Sequence, residues 1–226
     1  CTRLPGILAA DPKIVKRPAP IETLSYPELQ LLSAAGTQVL HESAVAPVRE
    51  RQIPLHIRST FAPDAPGTRI GFDAPASLSA SGVIGFAGRR PVSMLRVIFP
   101  ENTEETALWE VRACLNEHRI ETFHSACGVE GLCLLLSSGA EADALHAAAE
   151  QLREHFSGAQ VKLRENLAVL LALCRSTKDI PKLSAAIEAS GAPVHHLVQT
   201  PPGAMFCVND SQYEQALRAA YGAAFA

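Results

Sequence analysis

His195 and His196 stand side by side, and adjacent imidazoles are a natural place to look for a metal. Consecutive residues of a strand point to opposite faces, so the two cannot easily share one ion. No third ligand stands at metal-binding spacing. The six cysteines, Cys1, Cys114, Cys127, Cys133, Cys174 and Cys207, form no CxxC pair and no Cys/His set of zinc type. Cys133, Cys174 and Cys207 lie in apolar runs, where a thiol packs as a small hydrophobe, so buried free thiols are expected rather than three disulfides. No glycine-rich loop that would cradle a phosphate occurs in the 226 residues. The acidic stretch Pro100-Glu101-Asn102-Thr103-Glu104-Glu105 heads a predicted helix, where backbone N–H groups collect. It also reads as a solvated helix start favoured by the dipole. His118 and His124 flank a predicted strand as surface groups. Trp109 falls off the apolar face of its helix, as an interface anchor or a partly covered surface ring.

The elements that hold these groups follow from periodicity and caps. Residues 1–70 form one region. Pro12, Pro18 and Pro20 keep its start out of helix. A short helix spans Ser25 to Ala35, opened by the Ser25/Glu28 capping box with Pro27 in the first turn and closed at Gly36. Ala44 to Arg51 reads as a second helix and Pro54 to Ser59 as a strand. After a small, polar connector, Gly82 to Ala87 is apolar enough to pair into a sheet, though its two glycines weaken it alone. Residues 91–226 then repeat one order, βαββα, twice. The first copy has strands at Val92 to Phe99, Ile120 to Ser125 and Gly131 to Leu136, and helices at about 103–117, capped by Asn102 and Glu105, and 141–156. The second has strands at Leu167 to Cys174, Val194 to Gln199 and Ala204 to Val208, and helices at about 178–190 and 211–221, the last opened by Ser211 and Glu214. Equivalent helix starts are about 74 and about 70 residues apart. Each copy wants one more strand for a four-stranded ferredoxin-like sheet, and Gln160 to Arg164 and Gly82 to Ala87 are available.

Composition bounds the class. The chain is 47% hydrophobic with a formal net charge of −3, which excludes a broad basic nucleic-acid footprint. Its longest apolar run, Leu167 to Cys174, is far below the ~18 residues needed to span a membrane. The length suffices for a buried core without disulfides or metal. The chain opens at Cys1 rather than Met, which reads as a fragment cut inside a larger protein.

Residues 1–70 resemble the end of the aspartate kinase catalytic domain. The resemblance is carried by Pro5-Gly6-Ile7, Ala10-Asp11-Pro12-Lys13-Ile14-Val15, Ile21 to Tyr26, Gly36-Thr37-Gln38-Val39-Leu40-His41, Ile53-Pro54-Leu55, Ser59-Thr60-Phe61 and Pro66-Gly67-Thr68, in family order and spacing. The βαββα repeat resembles the paired ACT domains that follow in that family, the second of which takes a strand from before the first. The resemblance implies an α+β fold: tandem ferredoxin-like βαββαβ ACT domains preceded by the C-terminal piece of an amino-acid-kinase α/β domain. The implied division is 1–72 for the kinase segment, 91–164 for the first ACT domain, and 80–89 with 165–226 for the second.

The family's reaction is transfer of phosphate from ATP, with Mg, to the side chain of L-aspartate. The resemblance implies the regulatory part of such an enzyme, a cytoplasmic homodimer through ACT surfaces with an amino-acid effector and neither nucleic acid nor membrane as partner. No catalytic residue is assigned in this chain. Alone it is expected to be inactive, since the family's aspartate-binding and key lysine residues lie in a preceding segment. Family ATP-site positions fall on Thr2, Arg3, Leu8, Lys13, Gln38 and Val39. Of these only Thr2 and Val39 keep the family residue. Gln38 in place of a phosphate-facing lysine weakens the charge there most directly, and Lys13 in place of arginine loses the bidentate fork. The site therefore reads as altered or decayed. No cofactor is assigned to this chain with certainty, and no metal. Effector-binding candidates are Asn102, Thr103, Glu104 and Phe123. Phe123 stands where lysine-inhibited relatives place an amine-binding aspartate. Gln199-Thr200-Pro201-Pro202-Gly203 replaces the corresponding family turn in the second copy. The alternative is a stand-alone or degenerate ACT sensor without kinase activity.

Overall fold

The computed structural model describes residues 6–36, 42–62, 64–72, 82–100, 106–128, 131–137, 139–200 and 202–225. The chain divides into two compact units: Cys1–Arg89 with Val169–Ala226, and Arg90–Ala168.

The first unit begins with an antiparallel pair, β1 (Ile7–Leu8) and β2 (Pro20–Ile21). Strand β3 (Thr23–Ser25) runs directly into α1 (Tyr26–Ala34) through the expected capping box. Ser25 Oγ accepts from the Glu28 amide at 3.3 Å, and Glu28 Oε2 accepts from the Ser25 amide at 2.7 Å. Pro27 has no N–H, so the helix start has three orphan donors rather than four, and the box satisfies two of them. Tyr26, Leu29 and Leu32 form its buried face. After α2 (Glu42–Glu50), which contains Pro47, come β4 (Leu55–Ile57) and β5 (Thr68–Gly71). Their sheet has the order β3-β5-β4, with β5 parallel to β3 and antiparallel to β4.

Two long strands serve both units. The sequence reads four separate strands, Gly82 to Ala87 and Val92 to Phe99, Gln160 to Arg164 and Leu167 to Cys174. The structure fuses them into β6 (Val83–Ile98) and β9 (Gln160–Cys174). Apolar patterning lapses at Arg89-Arg90-Pro91 and at Glu165-Asn166, where side chains are half-buried or exposed, while strand structure continues. The unit boundaries fall close to these lapses.

In the first unit, β9 ends at Cys174. A 3-10 turn (Thr177–Asp179), α5 (Ile180–Ala189), β10 (His196–Thr200), β11 (Gly203–Asn209) and α6 (Tyr213–Phe225) follow. The strand order there is β10-β11-β9-β6. The expected Ser211/Glu214 box does not form. Asp210–Gln212 is a 3-10 turn whose N-cap, Asn209, makes no side-chain cap bond, and Glu214 pairs with Arg218 at 2.9 Å instead.

The second unit holds the remainder of β6, then α3 (Thr106–Glu117), β7 (Thr122–Gly128), β8 (Gly131–Leu136), α4 (Ala142–His155) and the start of β9. Its order is β9-β6-β8-β7. Leu132, Leu134 and Leu136 of β8 pack with Val111 and Leu115 of α3 and Leu152 of α4. The period-2 face of the strand thus meets the apolar stripes of both helices. The Asn102/Glu105 cap lies outside the described residues. Both units accordingly carry a four-stranded sheet with two helices, the ferredoxin-like α+β arrangement, beside the small mixed sheet of the first.

Candidate functional site

Three of the motif stretches of the first seventy residues meet at one hydroxyl. Thr68, fully buried in the Pro66-Gly67-Thr68 stretch, accepts from the Ile7 amide at 2.8 Å and donates to the Ile21 carbonyl at 2.6 Å. Gly6 lies so close that a Cβ there would sit 2.7 Å from Thr68 Oγ1, at a φ of +149° that disfavours a side chain. The His56 ring bonds the Pro66 carbonyl at 2.7 Å. Asp11, followed by Pro12 and Lys13, is a turn-former: its side chain accepts from the Lys13 amide at 2.9 Å and its carbonyl from those of Ile14 and Val15. Dispersed motifs are therefore one folded body.

Among the nucleotide-side candidates, Leu8 is half-buried in β1 and Lys13 is exposed. Thr2, Arg3, Gln38 and Val39 lie outside the described residues. Phosphoryl transfer needs several convergent charges. Lys13 and Leu8 supply one solvent-facing ammonium and one aliphatic side chain, which do not by themselves fit a nucleotide. A cleft of about 530 Å³ opens between α1 and α2, lined by Tyr26, Pro27, Ala46, Arg49, Glu50, Gln52 and Phe72. Neither Leu8 nor Lys13 lines it. Its floor is the Tyr26–Phe72 ring pair, 5.0 Å between centroids, with the Tyr26 hydroxyl donating to the Ile53 carbonyl at 2.6 Å.

The effector candidates divide in the same way. Asn102, Thr103 and Glu104 lie outside the described residues. Phe123 is the extra residue of a β-bulge: Thr122 pairs with Leu136 and His124 with Leu135, so the register shifts by one residue at Phe123. The bulge puts His124 on the sheet face of Leu135 rather than on the helix-covered face of Leu134 and Leu136. His124 is thus not the surface group expected. Its Nε2 is buried with no hydrogen-bond partner among the described residues, and burial pulls its pKa below the ordinary value. His118 does bond at the exposed surface, to Gln151 at 2.7 Å.

His195 and His196 point to different environments, as alternation requires. His195 bonds Asn209 at 2.8 Å, while the His196 Nε2 is buried. Among the described residues no group of three or more His, Cys, Asp or Glu could hold a metal. Cys114, Cys133, Cys174 and Cys207 are buried free thiols, and Cys127 is free and exposed. Trp109 is 68% exposed.

The strongest polar feature was only half legible in sequence. Glu28, the capping-box carboxylate, is 2% exposed and receives a two-pronged contact from Arg175, Nε to Oε1 at 2.7 Å and Nη2 to Oε2 at 3.1 Å. Burial pushes the Glu28 carboxyl up, but the Arg175 guanidinium and the Ser25 amide together pull it below the usual value. No local pattern announces a partner 147 residues away.

The family model of the amino acid kinase family matches residues 1–59. Aspartokinase 3 of Bacillus subtilis is 23% identical over 233 residues, covering 100% of this chain and 51% of that protein. The crystal structure of Clostridium acetobutylicum aspartate kinase superposes with a TM-score of 0.86 at 25% identity, covering 99% of this chain and 53% of that one. The regulatory subunit of aspartate kinase from Thermus thermophilus superposes with a TM-score of 0.52 at 21% identity, over 64% of this chain and 99% of that one. The chain spans about half the length of the Bacillus and Clostridium proteins. These likenesses and the two sheets with their helices define the class: an amino-acid-kinase segment joined to tandem ACT-like units. Within that class, the chain has the aspartokinase family fold, regulatory region included. No described helix is long and apolar enough to cross a membrane.

Proposed function

We propose that this chain is the C-terminal, regulatory portion of an aspartate kinase. The domains divide as 1–72, 91–164, and 80–89 with 165–226. The ACT pair carries amino-acid feedback and forms a homodimer, and the kinase segment contributes to the catalytic domain of an enzyme that phosphorylates L-aspartate with ATP and Mg. The observation that carries the reading is the likeness to the Clostridium enzyme over 99% of this chain, from kinase segment through both repeats. Feedback in such an arrangement is a coupling free energy between an effector site and the catalytic part. Effector contacts are proposed at Asn102, Thr103, Glu104 and Phe123. The nucleotide-side positions, Thr2, Arg3, Leu8, Lys13, Gln38 and Val39, are proposed as an altered ATP edge. A cytoplasmic location goes with this role.

A second reading, a regulatory subunit without kinase activity, draws on the likeness covering 99% of the Thermus regulatory subunit. Thermal shift with L-lysine, L-threonine and L-methionine, with light scattering on the same samples, tests the common core of both. At 100 times its dissociation constant an effector adds ~2.7 kcal/mol to the folded state. A dimer mass and a rise with at least one amino acid are expected. A monomer unmoved by all three overturns the feedback reading.

A further inference from the structure

Arg175 occupies an unusual position. It is the first residue after β9, and its own amide donates to the Gly82 carbonyl at 3.0 Å, at the foot of β6. Its guanidinium grips the Glu28 carboxylate and also reaches the Thr23 carbonyl at 3.4 Å. One side chain therefore ties the head of α1, the strand feeding it, and the entry of the second repeat's turn, all within the first unit. That turn is shaped independently, because Ser176 Oγ accepts from the Lys178 amide at 3.3 Å.

Glu28 has a matching double duty. Oε2 receives both Arg175 Nη2 and the Ser25 amide. A shift of the guanidinium therefore pulls on the capping box as well. The pair also resists half-measures: at 2% exposure the carboxylate cannot lose its guanidinium and stay buried at small cost. Such a contact is made or broken, and a packed interface of this kind is bistable rather than continuously deformable.

We propose that the Arg175–Glu28 pair makes the turn after β9 (175–179) and the first turn of α1 a single two-state element. Arg175 is its positioning residue. Whatever orders or displaces that turn in the second repeat also holds or releases the head of α1 in the kinase segment. That this movement serves feedback rests on the function proposed above; the coupling itself does not.

Hydrogen exchange on the whole 226-residue chain tests the coupling from the far side. Glu28→Gln, a change in the kinase segment, should speed exchange of the amides at 176–180 by about tenfold or more, with the α6 amides unchanged. Arg175→Lys keeps the charge but loses the fork, and should speed exchange at 28–30 by a smaller factor. If Glu28→Gln fails to fold, the apolar pair Glu28→Leu with Arg175→Met replaces it, because exchanging both partners removes the unpaired charge. In that background Ser25→Ala should no longer alter exchange in the turn. Exchange at 176–180 within twofold of the parent in a folded single variant overturns the proposal. A uniform rise that includes α6 does so too, because it reduces the pair to a contribution to global stability. Absence of amino-acid binding with the exchange coupling intact overturns the feedback reading alone.

Discussion

Replacing Thr68 with valine should destabilise the chain by about 2–4 kcal/mol although the side chain barely changes shape. The Thr68 hydroxyl is fully buried and makes two bonds, from the Ile7 amide at 2.8 Å and to the Ile21 carbonyl at 2.6 Å. Valine fills the same space and offers neither. Ile7 and Ile21 are themselves buried, so water cannot easily replace the hydroxyl. A buried group left without its partner costs about 1–3 kcal/mol, and the carbonyl, with two lone pairs, falls at the lower end. Thr68→Ser is the control: it keeps the hydroxyl and removes one methyl, for about 1 kcal/mol. Urea unfolding followed by far-UV circular dichroism reads both, provided the slope m is unchanged. A Thr68→Val value within about 0.5 kcal/mol of the parent would refute the reasoning. A serine variant as damaged as the valine one would refute it too, because shape and not bonding would then be at work.

Acid should weaken the fold through His124. Burial holds its folded pKa below the unfolded ~6.5, so the unfolded chain binds the proton first. Its stabilisation is complete above that pH and is lost as pH falls through the folded pKa; His124→Leu should flatten the decline of Tm between pH 7 and pH 5, and an unaltered slope counts against this account. Thiol labelling should be selective. Burial pushes Cys133 up to about 11 and Cys174 up to about 12, so a maleimide at neutral pH should mark Cys127 and spare Cys114, Cys133, Cys174 and Cys207, as peptide mapping can read. Equal labelling of Cys127 and Cys174 in the folded protein would contradict the burial.

Much of the first seventy residues was legible because its signals are local. The Ser25/Glu28 box, Pro27 and Gly36 bracket α1 almost to the residue. Local signals failed where polarity and backbone part company. At Arg89-Arg90 and Glu165-Asn166 the side chains face solvent or sit half-covered, so the apolar pattern stops while the strand runs on. The bulge at Phe123 was equally hidden, since one extra residue shifts every later side chain to the other face without changing composition. The Ser211/Glu214 spacing misled for the reverse reason: the right residues are present, but a 3-10 turn occupies their place. Glu28 was found as a cap and missed as an ion-pair partner, because Arg175 lies 147 residues away.

The two shared strands also fix where the chain tolerates cutting. A stop codon just after Ala168 would seem to spare everything up to the second repeat. It would instead remove the second half of β9 and with it β10, β11, α5 and α6, leaving Val83 and Phe86 of β6 without the core of their unit. Arg175 would go as well, stranding Glu28 as a buried carboxylate inside the kinase segment. The order of residues along the gene thus hides a braid, and the last quarter of the chain is structural support for its beginning.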